Sequence, residues 1–166
     1  MPNSFVEYEN VAPLLAPVDI AGTATATRYI DLNLSHEATI FVFFGGITTA
    51  SADQTAGPTV TIQAATAAAS AANEVNVEFQ YRLSATVGTN TWGAVTSASA
   101  GVDLTVTGDG MMLAIHIDPA KVQSLLTDAR FVRAVITPGT GGATCLVAVW
   151  AVMNSRYKMT VMDTDT

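Results

Sequence analysis

Polar and hydrophobic residues alternate over several stretches of the chain, which is the pattern of β-strands that bury one face. Residues 75–83 show the alternation most clearly, and the hydrophobic face there consists of Val75, Val77, Phe79, Tyr81 and Leu83. Residues 59–64 alternate in the same way, and we expect Val60, Ile62 and Ala64 to point inward. The same pattern predicts strands over residues 27–34, 92–95, 102–106, 111–117 and 130–136.

Two other stretches, residues 38–44 and 143–153, are hydrophobic on both faces. The second places Cys145, Val147 and Val149 on one face and Leu146, Ala148 and Trp150 on the other. A strand of this kind is either central in a sheet sandwich or covered by a neighbouring subunit, and both explanations stay open.

Turn residues separate the predicted strands. Residues 35–37 are expected to form a turn, and Gly45 and Gly46 are expected to end the strand that precedes them. Residues 138–142 are rich in glycine and predict a hairpin loop between the last two strands. The alanine-rich stretch 64–72 could form a helix, but it offers no large hydrophobic face, so a loop is favoured.

One short helix is predicted over residues 118–126. Asp118 is a suitable N-cap and Pro119 a suitable first helical residue. Val122, Leu125 and Leu126 are expected to share the face that packs on the rest of the protein. With about eight or nine strands around it, this pattern indicates an all-β fold, an antiparallel β-sandwich or barrel-like domain.

Three segments are expected along the chain: an extended N-terminal arm (1–24), a β-sandwich domain (25–157) and a polar C-terminal tail (158–166). Pro2, Pro13 and Pro17 should interrupt any strand ladder in the arm. Its hydrophobic residues are candidate docking contacts, namely Val11, Leu14, Leu15 and Val18.

Composition excludes several classes of protein. The net charge is −7, with 7 Lys and Arg against 14 Asp and Glu, so the basic stripe of a nucleic-acid binder or of a polybasic membrane module is missing. The single cysteine cannot form an internal disulfide. No basic and hydrophobic leader is evident at the N-terminus, and the longest hydrophobic run, 145–153, is too short for a membrane span. A soluble protein made in a reducing cytoplasm is expected.

The surface should carry little charge. Charged residues make up 13% of the chain, whereas 27 Ala and 23 Thr are present, so uncharged side chains must cover most of the exterior. Such a surface is either an ordinary neutral β-sheet exterior or one that lies against other subunits, because the centres of interfaces are poor in charge.

The residues that could carry chemistry form no recognisable set. Two histidines, His36 and His116, and one cysteine, Cys145, are scattered among predicted strands and make a poor set of zinc ligands. Cys145 lies in a hydrophobic strand and is expected to be a small buried side chain. No nucleophile motif, phosphate loop or calcium loop is present. We therefore expect no catalytic residues, no metal and no cofactor.

The layout resembles small proteins encoded among the head genes of tailed bacteriophages. The stretches that carry the resemblance lie within residues 18–40, 79–95 and 130–157. The resemblance covers roughly residues 18–158 and implies a head decoration (cement) protein, a virion component that binds the outer capsid surface and stabilises the head. It further implies the major capsid protein as partner and a homo-oligomer, most often a trimer, with synthesis in the host cytoplasm. It carries over no contact residue.

A second hypothesis belongs to another class, a glycan-binding β-sandwich module of a tail or secreted protein. Trp92, Trp150 and the tyrosines could supply a stacking platform for sugars. The alternative for both tryptophans is packing in the core. An enzyme is not expected, since neither hypothesis needs a reactive group.

Overall fold

The computed structural model describes residues 9–20, 22–49, 57–68, 73–84, 91–104, 110–139 and 142–155. Twelve strands, one 3-10 turn and one short α-helix follow one another within these ranges. The strands are β1 (Glu9–Asp19), β2 (Thr25–Ala26), β3 (Ile30–Asp31), β4 (Ser35–Thr49), β5 (Thr59–Ala65), β6 (Val75–Asn76), β7 (Phe79–Ser84), β8 (Thr96–Ala98), β9 (Val102–Asp103), β10 (Met111–Ile117), β11 (Phe131–Thr137) and β12 (Gly142–Ser155). The 3-10 turn is Leu32–Leu34 and the helix, α1, is Pro119–Leu125.

The strands form two antiparallel sheets, each of six strands. Sheet A has the order β1-β12-β4-β10-β7-β8. Sheet B has the order β2-β11-β5-β6, with β3 paired to β11 and β9 paired to β5. The all-β sandwich is therefore confirmed, and the barrel alternative is wrong because the described strands form no closed barrel. The strand number is higher than expected because several strands are only two residues long.

The core lies between the two sheets. Inward residues of sheet B, including Val60, Ile62 and Ala64 as predicted, are fully buried against inward residues of sheet A such as Ile40 and Leu113. Alternation fixes this arrangement, because each strand must turn its hydrophobic positions to the same side.

The stretch 75–83 is not one strand, although its pattern is continuous. Asn76 pairs with Gln63 in sheet B, whereas Leu83 pairs with Leu113 in sheet A. The chain crosses between the sheets at Val77, which is buried. Val77 and Phe79 point into the shared core as predicted, but the inward direction predicted for Val75 is wrong, since Val75 is 37% exposed.

Strand β4 is longer than predicted at both ends. Residues 35–37 belong to the strand, and it continues through Gly45 and Gly46 to Thr49. The expected turn and stop are wrong because β12 pairs with β4 over nearly its whole length, from Ser35 to Thr49. A long partner extends a strand past residues that would end it in isolation.

The prolines of the N-terminal segment do not interrupt the ladder. Strand β1 pairs with β12 from Glu9 opposite Asn154 to Asp19 opposite Leu146, with irregular register around Leu15. Pro13 and Pro17 are tolerated because β1 is an edge strand, where a missing N–H group need not break a pair. The expected interruption by Pro13 and Pro17 is therefore wrong, since Glu9–Asp19 belongs to sheet A.

Two further strand predictions and one loop prediction are wrong. Of residues 27–34, only Ile30–Asp31 forms a strand, because Leu32–Leu34 turns under an Asp31 cap that accepts from the Asn33 N–H at 2.9 Å. Residues 92–95 form no strand, and β8 begins at Thr96. The link 138–142 joins strands of different sheets, so it is not a hairpin loop.

The helix is confirmed, with one change in its packing. The Ala120 N–H donates to the Asp118 carboxylate at 2.9 Å, and Pro119 follows the cap. Val122 is buried and Leu126 packs against the core, but Leu125 is 51% exposed. The predicted tail, 158–166, lies outside the described residues.

Candidate docking surface

The outer face of sheet A is hydrophobic across its centre. The register places Pro13, Trp150 and Phe41 side by side on β1, β12 and β4. A second row joins Ala148 on β12 to Phe43 on β4. We call the whole set the apolar face: Val11, Pro13, Phe41, Phe43, Met112, Ala114, Leu146, Ala148, Trp150 and Val152.

The apolar face follows from strands that are hydrophobic on both sides. Ile40, Val42 and Phe44 of β4 point into the core and are fully buried, so Phe41 and Phe43 between them must point outward. Strand β12 is central in sheet A, between β1 and β4, which was one of the two explanations for its sequence. The sandwich covers only its inner side, because its outward residues from Leu146 to Val152 keep part of their surface in solvent.

Aromatic side chains occupy the middle of the apolar face. The rings of Phe41 and Trp150 stack with centroids 5.9 Å apart and planes 18° from parallel. Trp150 and Trp92 are both half-buried, and neither belongs to the core cluster. Core packing of the two tryptophans is therefore wrong. Toward the two ends of the face, Val11 and Leu146 are 46% and 44% exposed.

Polar residues border the apolar face, and they carry both signs of charge. At one end, Glu9, Asn154 and Glu37 stand side by side on β1, β12 and β4. On the β7 side, Arg82 lies beside Ala114 in the register. A hydrophobic centre with a charged rim is the usual anatomy of a protein interface.

The outer face of sheet B has the opposite character. Arg133 on β11 donates to the Gln63 side chain at 3.1 and 3.2 Å and pairs with Glu74 at 2.5 Å. Its guanidinium lies 5.0 Å from the centroid of the Tyr29 ring, and the Tyr29 hydroxyl donates to Glu74. These groups satisfy one another, so the polar side chains around Arg133 are paired within the protein.

Burial and the Glu74 carboxylate govern the ionisation of Tyr29. Desolvation is the larger cause and the hydrogen bond to Glu74 the next, and together they raise the pKa of Tyr29 to about 12. The hydroxyl therefore stays protonated and keeps its bond to Glu74 at neutral pH. Nearby, Arg130 pairs with Asp31, which adds a second ion pair to the same face.

The four predicted docking residues divide into two pairs. Val11 and Val18 are 46% and 39% exposed on β1. Leu14 is buried in the core and Leu15 packs against it, because β1 joins this protein's own sheet. Leu14 is therefore not free for docking while β1 stays paired. Sequence reasoning missed Phe41, Phe43 and Met112, although the two-sided pattern of residues 38–44 was the available signal.

Cys145 is a buried side chain with an unreactive thiol, as expected. It is 3% exposed, and its N–H donates to Asp19 at 2.9 Å. Burial, and to a smaller extent the Asp19 carboxylate, raises the pKa of the Cys145 thiol to about 11. At neutral pH the thiolate needed for nucleophilic attack is therefore scarce.

The other candidate ligands do not converge. His36 and His116 are both exposed. Across the part of the chain that the structure describes, no three His, Cys, Asp or Glu side chains are grouped to hold a metal ion. No helix within the described ranges has the length and hydrophobicity to cross a bilayer.

Comparison with known proteins finds no relative of this chain. No protein-family model matches the chain, and neither the curated proteins nor the solved structures contain a match.

Proposed function

We propose that this chain is a structural virion protein, a decoration protein that binds the outside of a tailed-phage capsid and stabilises the head. Its partners would be the major capsid protein and further copies of itself. The function needs no reactive group, because it depends on a stiff fold and on adhesion. Many weak contacts, repeated over a closed shell, multiply into firm attachment.

The difference between the two outer faces of the sandwich is the observation that supports this proposal. The outer face of sheet B carries paired charges, such as Arg133 with Glu74. Sheet A turns outward a hydrophobic set that includes Val11, Phe41 and Trp150. Hydrophobic patches of this kind on a soluble protein mark interaction sites.

The exposed residues of β1 are the proposed contacts with the shell. Val18 combines 39% exposure with a place on the outermost strand of sheet A, so a partner can reach it without opening the sheet. Val11 is also exposed on β1, but it lies on the apolar face. Leu14 and Leu15 would act only indirectly, by holding β1 in place.

An add-back experiment tests the proposal. Purified chain is mixed with phage particles produced without it, and the pellet is analysed after sedimentation through a cushion. We expect saturable binding to the particles and greater resistance of the heads to heat or chelators. Val18→Asp should weaken binding, whereas Val75→Asp, a comparably exposed valine on β6 of sheet B, should not. Failure of the unmodified chain to sediment with particles would contradict the proposal.

The second candidate function is glycan binding, and the half-buried positions of the tryptophans favour it. Trp150 and Phe41 stack on each other at the sheet exterior, and partly exposed aromatic rings can pack on sugars. Glycan-array binding that is lost in Trp92→Ala or Trp150→Ala, with the circular dichroism spectrum retained, would support it. No binding by the unmodified chain would exclude it.

A further inference from the structure

The apolar face is the surface of sheet A that remains once the other ways of association are considered. Strand addition at the β1 edge is disfavoured by Pro13 and Pro17, which lack an N–H donor. At the opposite edge, β8 is only three residues long. The outer face of sheet B is occupied by the paired groups around Arg133. Among these described surfaces, the outer face of sheet A is therefore the one best suited to association.

Charge indicates which partner fits this face. The whole chain carries a net charge of −7, so two copies repel each other over most orientations. The centre of the apolar face carries no charge. Its rim holds Glu9 and Glu37 at one end, Asp19 beside Leu146 at the other end, and Arg82 on the β7 side. Two copies related by a two-fold axis present the same surface to each other, and a rim with both signs can pair with itself.

We propose that a second copy of this chain packs on the apolar face, with the two sheets A face to face. The aromatic pair Phe41 and Trp150 of each copy forms the centre of the contact. The glutamate end of one copy faces the Arg82 side of the other. This inference rests on the proposed function and deepens it, since it assigns self-association to one face of the fold, as a two-fold dimer rather than the trimer that the resemblance implies.

The size of the apolar face limits the area that a contact between two copies can bury. It spans four strands, about 14 Å across, and about 20 Å along them, so each copy contributes about 300–400 Å². A stable dimer buries about 800 Å² per partner. The contact between two copies in solution should therefore be weak and reversible.

Sedimentation velocity over about 1 µM to about 1 mM protein measures this contact. We expect the weight-average sedimentation coefficient to rise with concentration for the unmodified chain. Leu146→Glu places a charge on the apolar face and should weaken association at least tenfold. Leu125→Glu is the matched control, because Leu125 is also about half exposed but lies on α1, away from that face. It should associate like the unmodified chain.

Charge exchange tests the orientation of the two copies. Arg82→Glu should weaken association, and adding Glu9→Lys and Glu37→Lys to that variant should restore it. A restored variant would support pairing of opposite rims. Equal association of all three proteins would overturn the proposed orientation.

Two results would overturn the contact between copies. One is an unmodified chain that stays monomeric at about 1 mM, and the other is unchanged association of Leu146→Glu. The add-back experiment separates this failure from failure of the proposed function. If the monomeric chain still sediments with particles and Leu146→Glu does not, the shell occupies the apolar face and the decoration function stands.

Discussion

At the scale of single residues, side-chain direction decides which hydrophobic groups stabilise the fold and which are available for contact. Val149 is buried and pairs with Val42, whereas Leu146 on the same strand is 44% exposed. Both are hydrophobic, so the sequence does not distinguish them until the inner side of β12 is known. A charged side chain at Val149 should unfold the protein, and one at Leu146 should leave it folded.

Val149→Asp tests the inner side of β12. An unpaired charge buried between the sheets should cost about 3 kcal/mol or more of the free energy of unfolding. We expect loss of the cooperative thermal transition or an insoluble protein. Leu146→Asp should keep a melting temperature close to that of the unmodified chain. Equal stability of the two variants would contradict the assignment of the two faces.

The Cys145 thiol should make the free energy of unfolding depend on pH in the alkaline range. The folded protein holds the thiol pKa at about 11, against an ordinary value of 9.0, so the folded state binds this proton more tightly than the unfolded state does. Its contribution is complete below pH 9 and is lost as the pH rises through about 11. The free energy of unfolding from urea titrations should fall over this range, and less so in Cys145→Ala. Parallel declines in the two proteins would contradict this account.

At the scale of strands, pairing partners override local sequence signals. Gly45 and Gly46 are ordinary stop signals, yet β4 continues because β12 pairs beside it. Pro13 should break a ladder, yet β1 tolerates it at the edge of sheet A. The strands β5, β10 and β11 were predicted nearly to the residue, since alternation alone defines them. Long-range pairing is not visible in a local pattern, so the length of β4 and the place of β1 could not be predicted.

Deletion of β1 tests its place in the sheet. Removing residues 1–20 takes away Ala12, Leu14 and Ile20, all of which are buried. We expect a loss of more than about 3 kcal/mol in the free energy of unfolding, because a core of this size does not refill the space. Removing residues 1–8 is the control, since it leaves β1 complete. Full stability of the longer deletion would contradict a structural role of β1 in sheet A.

At the scale of the whole molecule, the sandwich combines a polar, internally paired exterior with a hydrophobic one. The all-β class could be predicted because period-two alternation is a strong signal. The apolar face could be predicted only in part, since Trp150 and Phe41 come together through the pairing of β12 with β4. The proposed role on a phage head depends on what this face and β1 contact.

Averaged electron cryomicroscopy density of phage particles from infected cells tests that role most directly. We predict a β-sandwich of this shape, in symmetry-ordered and stoichiometric copies, on the outer surface of the shell. Particles without this density, from cells in which the chain is abundant in the lysate, would contradict the account.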